Sequence, residues 1–530
     1  MKIHRIPFPQ VPQLSSRDVA YATQDERLRP FYNYSTTLEA FEQVIADKQK
    51  EDINRVQLVK SLRDQYAQLS TPGKSADQIS LLEKDNTFTL VTAHQPSLFT
   101  GPLYFVIKIC STINLARKLN AAYPHYNFVP LFITGGEDHD FEEINHLHLF
   151  GKTVSWESGE SGAVGAMSTA TLNEPLEALK EILGSSERAE AVFAELKASY
   201  TGHERYGMAT IDYVSKLFAE TELLVFDMSR PELKQLFIPI MREELLEQPS
   251  QAYVEKAQAE LEAAGFSGQA HAREINLFYL REGLRERIER TADGYQVLNT
   301  DYKFSEQEII AELEAHPERF SPNVIMRPLF QEKVLPNLAY IGGGGELAYW
   351  LERKEQFAHF GLNFPMLIRR NSLMWLDRGT VKKMNKLELS VSDLFIETET
   401  LLKQFVKSQT DNELTIEEEK QQLEQLFESI ATKARDIDPT LAKAIEAEYT
   451  RQAKSVANLE GRLMRAEKQK HETALNQIRN LKEKLYPNNG LQERYDNFLS
   501  FYQRQGDAFF QTLIEVLDPL EQGFVVVEEE

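Results

Sequence analysis

Six consecutive residues, Gly135-Gly136-Glu137-Asp138-His139-Asp140, place three carboxylates and an imidazole directly behind two glycines. The glycines permit a tight exit from a strand and let a ligand approach the backbone. A carboxylate beside a histidine fixes the imidazole tautomer, so the pair can serve as acid, base or polar anchor near neutral pH. Asp138, His139 and Asp140 are therefore the candidate catalytic groups, and Glu137 is a candidate binding group. Capping of the next helix explains part of the same cluster, because acids are favoured at N-caps and in first turns. Asn145, His146 and His148 continue the polar run. Their spacing matches no strong zinc motif, and His146 and His148 do not share a helical face, so no metal site is expected.

A second group of candidates occupies Ala93-His94-Gln95-Pro96-Ser97-Leu98-Phe99-Thr100-Gly101-Pro102. His94, Gln95 and the helix start near Gly101 can meet a nucleotide or a sugar, although Gly101-Pro102 is equally explained by helix initiation. The loop has neither the lysine of a P-loop nor the spaced glycines of a dinucleotide fingerprint. Gly342 to Gly345 form the most flexible run by composition, pinned by Tyr340-Ile341 before it and Leu347-Ala348-Tyr349-Trp350 after it. This run reads as a backbone-lined substrate loop through Gly343 and Gly344, with Glu346 and Tyr349 beside it. Arg369 and Arg370 can neutralise a carboxylate or phosphate, or pair with a carboxylate of the chain itself. Lys383 and Lys386 form a phosphate-binding loop only if Lys383-Met384-Asn385-Lys386 folds back over the sheet; otherwise they begin the helical part.

The elements that must carry these groups follow from hydrophobic pattern. Residues 87–92, 127–134 and 222–227 are short apolar, β-branched runs suited to strands buried on both faces. Each is followed by a helical stretch, giving alternation at 87–119, 127–149 and 222–246, with DFEEINHLHLF taken as helix. That alternation favours a doubly wound α/β core. Ligands of such sheets gather outside the carboxyl ends of the strands, where His94-Gln95 and the Glu137 to Asp140 cluster both fall. Helices are also expected across 33–82 and 174–220, with an exposed Gly/Ser-rich connection after 150 and mixed structure from 251 to 390.

Beyond about 380 the chain turns to Glu, Lys, Gln and Leu. Segments 416–427 and 441–485, separated by Pro439, suggest an antiparallel helical arm. Leu459, Leu463, Ala466, Lys470, Ala474, Ile478, Leu481 and Leu485 are spaced 4, 3, 4, 4, 4, 3 and 4, close to a coiled-coil seam. The expected division is a core over 1–385 with insertions at roughly 150–220 and 250–330, an arm over 386–500, and a segment over 501–530 that returns to the core with 523–527 as a strand.

The 530 residues carry a formal charge of −22, from 81 acidic and 59 basic side chains, which speaks against nucleic acid as a partner. No run approaches the roughly 20 apolar residues of a membrane span and the start has no signal-like stretch, so the expected location is the cytoplasm, with no membrane partner. The single cysteine, Cys110, excludes an internal disulfide and any zinc site with two or more thiolates of this chain. Its apolar neighbours make it a small core residue.

In order, TAHQPSLFTGPLY, VPLFITGGEDHDFEEINH, NLAYIGGGGELAYW and the long helical arm resemble the bacillithiol biosynthesis cysteine-adding family, over essentially the whole chain. The resemblance implies a Rossmann-like core related to class I aminoacyl-tRNA synthetases, with connecting insertions and a long antiparallel coiled-coil arm that makes a homodimer. It further implies a ligase that joins L-cysteine, through its carboxyl group, to the amine of glucosaminyl malate. His94, Gln95, Gly101, Pro102, Tyr104, Glu137 to Asp140, Asn145, His146, Gly342 to Glu346 and Tyr349 occupy its signature positions, with Ala93-His94 standing where the more common family form has Gly and Gln. Asp138 or His139 would accept the amine proton, and Arg369 or Arg370 would grip a carboxylate of malate or cysteine. No tightly bound cofactor is expected, and ATP with Mg2+ is a candidate co-substrate. With one cysteine in the chain, the substrate thiol is to be recognised by shape and hydrogen bonds. Two other readings fit the same residues: a different α/β transferase or amidase acting on an amino sugar, and a non-enzymatic scaffold built on the arm.

Overall fold

Strand β1, Thr87–His94, is buried at every residue but its last, and β2, Asn127–Thr134, at every residue but its first. Continuous burial of this kind requires helices or loops over both faces of a parallel sheet. In the computed structural model, which describes residues 1–70, 74–410, 416–438 and 440–530, β1 and β2 join β3 (Leu224–Phe226), β4 (Asn337–Gly342) and β5 (Met366–Arg369). All neighbouring pairs are parallel, in the order β5-β4-β1-β2-β3. The chain steps outward from β1 to β3 and then returns to the other side of β1. The order thus reverses between β1 and β4, and a ligand crevice opens at the carboxyl ends of those two strands.

Register carries the crevice into atomic detail. His94 lies opposite Thr134 at the top of β1 and β2, and the Gly135 N–H donates to the His94 carbonyl at 2.8 Å. The two polar loops therefore leave the sheet side by side. Helix α1, Tyr104–Ala122, follows the first loop and buries Phe105, Ile109, Cys110 and Ile113. Burial pushes the Cys110 thiol up, as befits a core residue.

Several expectations change. DFEEINHLHLF is not a helix: one turn, Phe141–Ile144, gives way to an antiparallel hairpin of His146–Leu149 and Lys152–Ser155. Leu147 and Leu149 are buried while His146 and His148 are not, the period of two that a strand requires. The Gly/Ser-rich connection after 150 is exposed at Gly151 to Thr153 and Gly159 to Ser161, as expected, but its later part is anchored to the site loop. The Gly165 N–H donates to the Gly136 carbonyl at 2.7 Å, and the Val164 N–H to the Asp138 carbonyl at 2.7 Å. A Cβ on Gly165 would lie 2.9 Å from the Gly136 Cα. Gly342 to Gly345 is not a flexible loop either. Gly342 ends β4 and Gly344 begins helix α2, Gly344–Trp350, with the Tyr340 and Trp350 rings stacked 4.6 Å apart beneath the turn. The segment at 250–330 is mixed as expected: the helix Pro249–Ala263 precedes a five-stranded antiparallel sheet, in the order Lys303–Phe304, Gly294–Val297, Leu284–Thr291, Leu277–Arg281 and Phe320–Pro322.

The chain divides into two compact units: Arg5–Met374 with Gly490–Val527, and Met1–His4 with Trp375–Asn489 and Glu528–Glu530. The change of unit thus comes at Trp375 rather than 386, and the return at Gly490 rather than 501. Phe524–Glu528 is a strand, although not one of the five in the parallel sheet.

In the second unit, α3 (Glu417–Ile437) and α4 (Leu441–Lys470) run antiparallel: Lys420 pairs with Glu460 at 2.8 Å, and the Phe427 and Tyr449 rings lie 5.7 Å apart. Pro439, taken as the breaker between them, lies outside the described residues. The last helix is not continuous; it divides at His471, and α5 covers Glu472–Leu485. Ile478, Leu481 and Leu485 of the seam are buried, whereas Leu459 and Leu463 are 51% and 46% exposed. Lys383 and Lys386 sit in the exposed last turn of a helix, Arg378–Lys386, that buries Met384, so they form no phosphate loop. Among the described residues, no helix is long and apolar enough to cross a membrane.

Candidate active site

A cavity of about 480 Å³ opens at the carboxyl edge of the parallel sheet, bounded by the loops after β1, β2, β3 and β4. In the β1–β4 crevice, Lys108 of α1 is fully buried. Its ammonium donates to the Ala93 carbonyl and to both Glu346 oxygens, the latter at 2.7 and 2.8 Å. Glu346 also accepts from the Tyr340 hydroxyl and the Gly343 N–H, each at 2.8 Å. Burial pushes the Glu346 carboxyl up, but the Lys108 charge and these donors outweigh it and hold it at about 2. The pair is ionised and fully hydrogen-bonded, the condition under which a buried ion pair is tolerated.

His94 lies beside it. Its Nδ1 is 2.9 Å from the Gln95 carbonyl oxygen and its Nε2 is 2.9 Å from the Tyr104 hydroxyl. A carbonyl can only accept, so Nδ1 carries the proton and Nε2 accepts from Tyr104. Burial, with the Lys108 charge adding, lowers the imidazole to about 4. Burial, with the Glu346 charge adding, pushes the Tyr104 phenol up to about 12. The pair is neutral, and it orients Tyr104 towards the cavity wall.

Arg285, Arg327, Arg370 and Arg494 line the same cavity. Arg370 donates to Glu493 at 2.7 Å and to the Asn371 carbonyl at 2.7 Å, and its guanidinium sits 5.3 Å from the Tyr104 ring centre. Arg494 lies 5.8 Å from that ring. Arg327 lies 5.8 Å from the Tyr340 ring and donates to Gln331 at 3.3 Å. Arg369 is not part of this group, because its fork is spent on Asp18, at 2.7 and 3.0 Å, and on the Arg370 carbonyl at 2.7 Å.

The acids that line the cavity besides Glu346 are Glu137, Asp138, Glu143 and Asp227. Glu137 pairs with the buried Lys234, which also donates to the Phe320 carbonyl at 2.8 Å. Asp138 accepts from the Gln95 amide and from the His139 N–H, each at 2.7 Å, and lies 3.6 Å from Arg285. Burial pushes the Asp138 carboxyl up, but these donors and the Arg285 charge hold it well below the usual carboxylate range. Such a carboxylate is a poor proton acceptor, so Asp138 fits an electrostatic and positioning role better than that of a base.

Residues 1–371 match the family described as Bacillithiol biosynthesis BshC, N-terminal Rossmann-like domain, and residues 373–529 match its C-terminal coiled-coil domain. The chain belongs to the BshC family. A relative from Flavobacterium johnsoniae is 41% identical over 509 residues, covering 96% of each chain. One from Christiangramia forsetii is 38% identical over 533 residues, 99% of each, and one from Bacillus cereus is 26% identical over 533 residues, 97% of each. All three carry the name "Putative cysteine ligase BshC".

In this BshC chain the cavity gathers His94, Gln95, Tyr104, Glu137, Asp138, Gly343, Glu346, Tyr349 and Arg370 from the residues singled out in the sequence. The others stand elsewhere. His139 does not line it; its Nδ1 accepts from Arg285 at 2.7 Å and its ring packs 5.5 Å from Phe278. Asp140 is the exposed cap residue of the single turn Phe141–Ile144. Asn145 pairs with the His146 ring at 3.0 Å. Gly101 serves the turn: its φ is +59°, a Cβ there would lie 2.6 Å from the Ser97 Cβ, and its carbonyl accepts from Asn497 at 2.6 Å. Gly344 is packed against the Asp18 carboxylate. Lys383 and Lys386 are not among the lining residues.

Glu143, Asp227, Arg285 and Arg327 line the cavity, and Lys108 supports it, without having been selected. A lone lysine inside the apolar run LYFVIKIC was the available sign of a buried ion pair. Asp227 follows directly on a strand, at the edge where ligands collect. Arg285 and Arg327 arrive through the antiparallel sheet and its neighbouring helix, and no local pattern marks them.

Proposed function

We propose that this chain is a ligase that joins L-cysteine to glucosaminyl malate, forming the amide of bacillithiol after ATP activates the cysteine carboxylate. The observation that carries the reading is that acids and guanidinium groups line one cavity together: Asp138, Glu143 and Asp227 with Arg285, Arg327, Arg370 and Arg494. The acids suit the amino groups of cysteine and of the sugar. The planar guanidinium forks suit malate carboxylates and nucleotide phosphates. Met228, Val324 and Phe330 add apolar lining against which a small thiol side chain can pack.

Joining a free carboxylate to an amine in water needs an energy source. A cysteine carboxylate oxygen displaces a phosphoryl leaving group of ATP, with Mg2+ accompanying the nucleotide, and a mixed anhydride results. The sugar amine then forms the new C–N bond, and the C–O bond to phosphate breaks. Holding both reactants in one cavity removes most of the entropic barrier to their encounter. The same reading makes the chain a homodimer through its arm, where Leu426, Ile430, Leu459 and Leu463 leave apolar surface exposed.

Incubating the protein with cysteine, glucosaminyl malate and ATP, and following bacillithiol together with AMP and ADP, tests the proposal. Cysteine-dependent bacillithiol is the expected product. Its absence under every nucleotide condition sinks the ligase reading, while product without nucleotide turnover sinks the activation step alone.

A further inference from the structure

We infer that Glu143 is the base that removes the proton from the attacking amine, a role that rests on the ligase reading above. The cavity contains a limited set of groups that could accept a proton, and the geometry engages the others. Glu346 is locked by Lys108, Tyr340 and the Gly343 N–H. Glu137 is paired with Lys234. Asp138 holds the Gln95 amide and the His139 N–H beside Arg285. Asp227 closes its own turn by accepting from the Ser229 N–H at 2.9 Å. His94 is held at both ring nitrogens.

Glu143 differs in its surroundings. It sits on the single turn Phe141–Ile144, lines the cavity and is solvent-accessible. The groups facing it are Asp138 and Asp140 on its own loop, the Gln95 side chain at the exit of β1, and Tyr104 on α1. These are two acids, an amide and a phenol rather than a cation. Partial burial, then the Asp140 charge, push its carboxyl up, with Asp138 adding and the Gln95 hydrogen bond opposing. A carboxylate raised in this way is a better proton acceptor than an ordinary one.

The Gln95 Nε2 donates to Asp138 at 2.7 Å, and Gln95, like Glu143, lines the cavity. In the step itself, the nitrogen lone pair forms the C–N bond as the N–H proton passes to a Glu143 oxygen. The electrons of the C–O bond leave with the phosphate group, so no further reactant is needed.

Glu143→Gln keeps the shape and removes the basicity. With cysteine, ATP and glucosaminyl malate, its kcat is expected to fall about 10²–10⁴-fold with little change in KM. The wild-type to variant rate ratio should shrink towards unity as pH falls through the Glu143 titration, because only the ionised wild-type side chain accepts a proton. Hydroxylamine is largely unprotonated at neutral pH and its N–H proton can pass to water after attack, so it does not depend on a protein base and cysteine hydroxamate should form at near wild-type rate in Glu143→Gln. Glu143→Asp should recover part of the amide-forming rate.

An amide-forming rate within a few fold of wild type, or equal loss of amide and hydroxamate in a folded variant, overturns the assignment. If Glu143→Gln does not fold, Glu143→Asp carries the test: a pH profile that superimposes on the wild type overturns the role. A wild-type protein that forms no amide overturns the ligase reading instead, which keeps the two failures apart.

Discussion

Lys108 and Glu346 form the most consequential ion pair of the crevice. Lys108 has no solvent exposure, and it also satisfies the Ala93 carbonyl at the end of β1. Lys108→Met leaves Glu346 and that carbonyl without their cation, and the expected loss is about 3 kcal/mol of stability, read from urea midpoints. The pH dependence has a definite sign. Glu346 is depressed from 4.5 to about 2, so its contribution is fully present above about 4.5 and is lost as pH falls towards 2. Stability of the wild type should drop across that window more steeply than that of Glu346→Gln. At this scale the sequence exposed residues that belong to dense polar motifs: His94, Gln95, Asp138 and Glu346 all reach the cavity. It did not show that His139 meets Arg285 or which of its two readings Arg369 takes, pairing with the carboxylate of Asp18, because both partners approach from distant segments.

At the scale of elements, the site depends on backbones that touch. Gly136, in the loop after β2, meets Gly165, whose carbonyl oxygen would lie 3.0 Å from a Cβ on Gly207. No side chain fits between these segments. Gly165→Ala forces the Glu137 to Asp140 loop to shift, with an expected cost of about 1–3 kcal/mol and a lower rate of bacillithiol formation in a protein that touches no substrate at the mutated position. Thermal unfolding and turnover measured together check this. Strands β1 and β2 were legible because short runs rich in β-branched and aromatic residues, each followed by turn-forming residues, favour strands. The hairpin after Ile144 was not, because a four-residue alternation embedded among acids suits either period. The four glycines at 342–345 misled by composition alone, since aromatic packing under the turn decides their order.

For the whole molecule, composition marked the change from an α/β core to long charged helices, and the Lys420–Glu460 ion pair and Phe427–Tyr449 ring packing bear out the antiparallel arm. The break at His471 was not legible, because the apolar spacing continues through it. The exposed Leu459 and Leu463 are the surface on which the proposed homodimer rests. Replacing both with glutamate should yield a monomer in sedimentation equilibrium with unchanged helical content. A dimer that persists places the interface elsewhere.

The central claim is that this cavity forms an amide through an activated cysteine carboxylate. The most direct measurement supplies cysteine labelled with oxygen-18 in both carboxylate oxygens, together with glucosaminyl malate and ATP, and analyses the products by mass spectrometry. Carboxylate activation predicts bacillithiol with one labelled oxygen transferred to the AMP or phosphate released for each amide formed. Bacillithiol formed with no label in any phosphorus-containing product would contradict it.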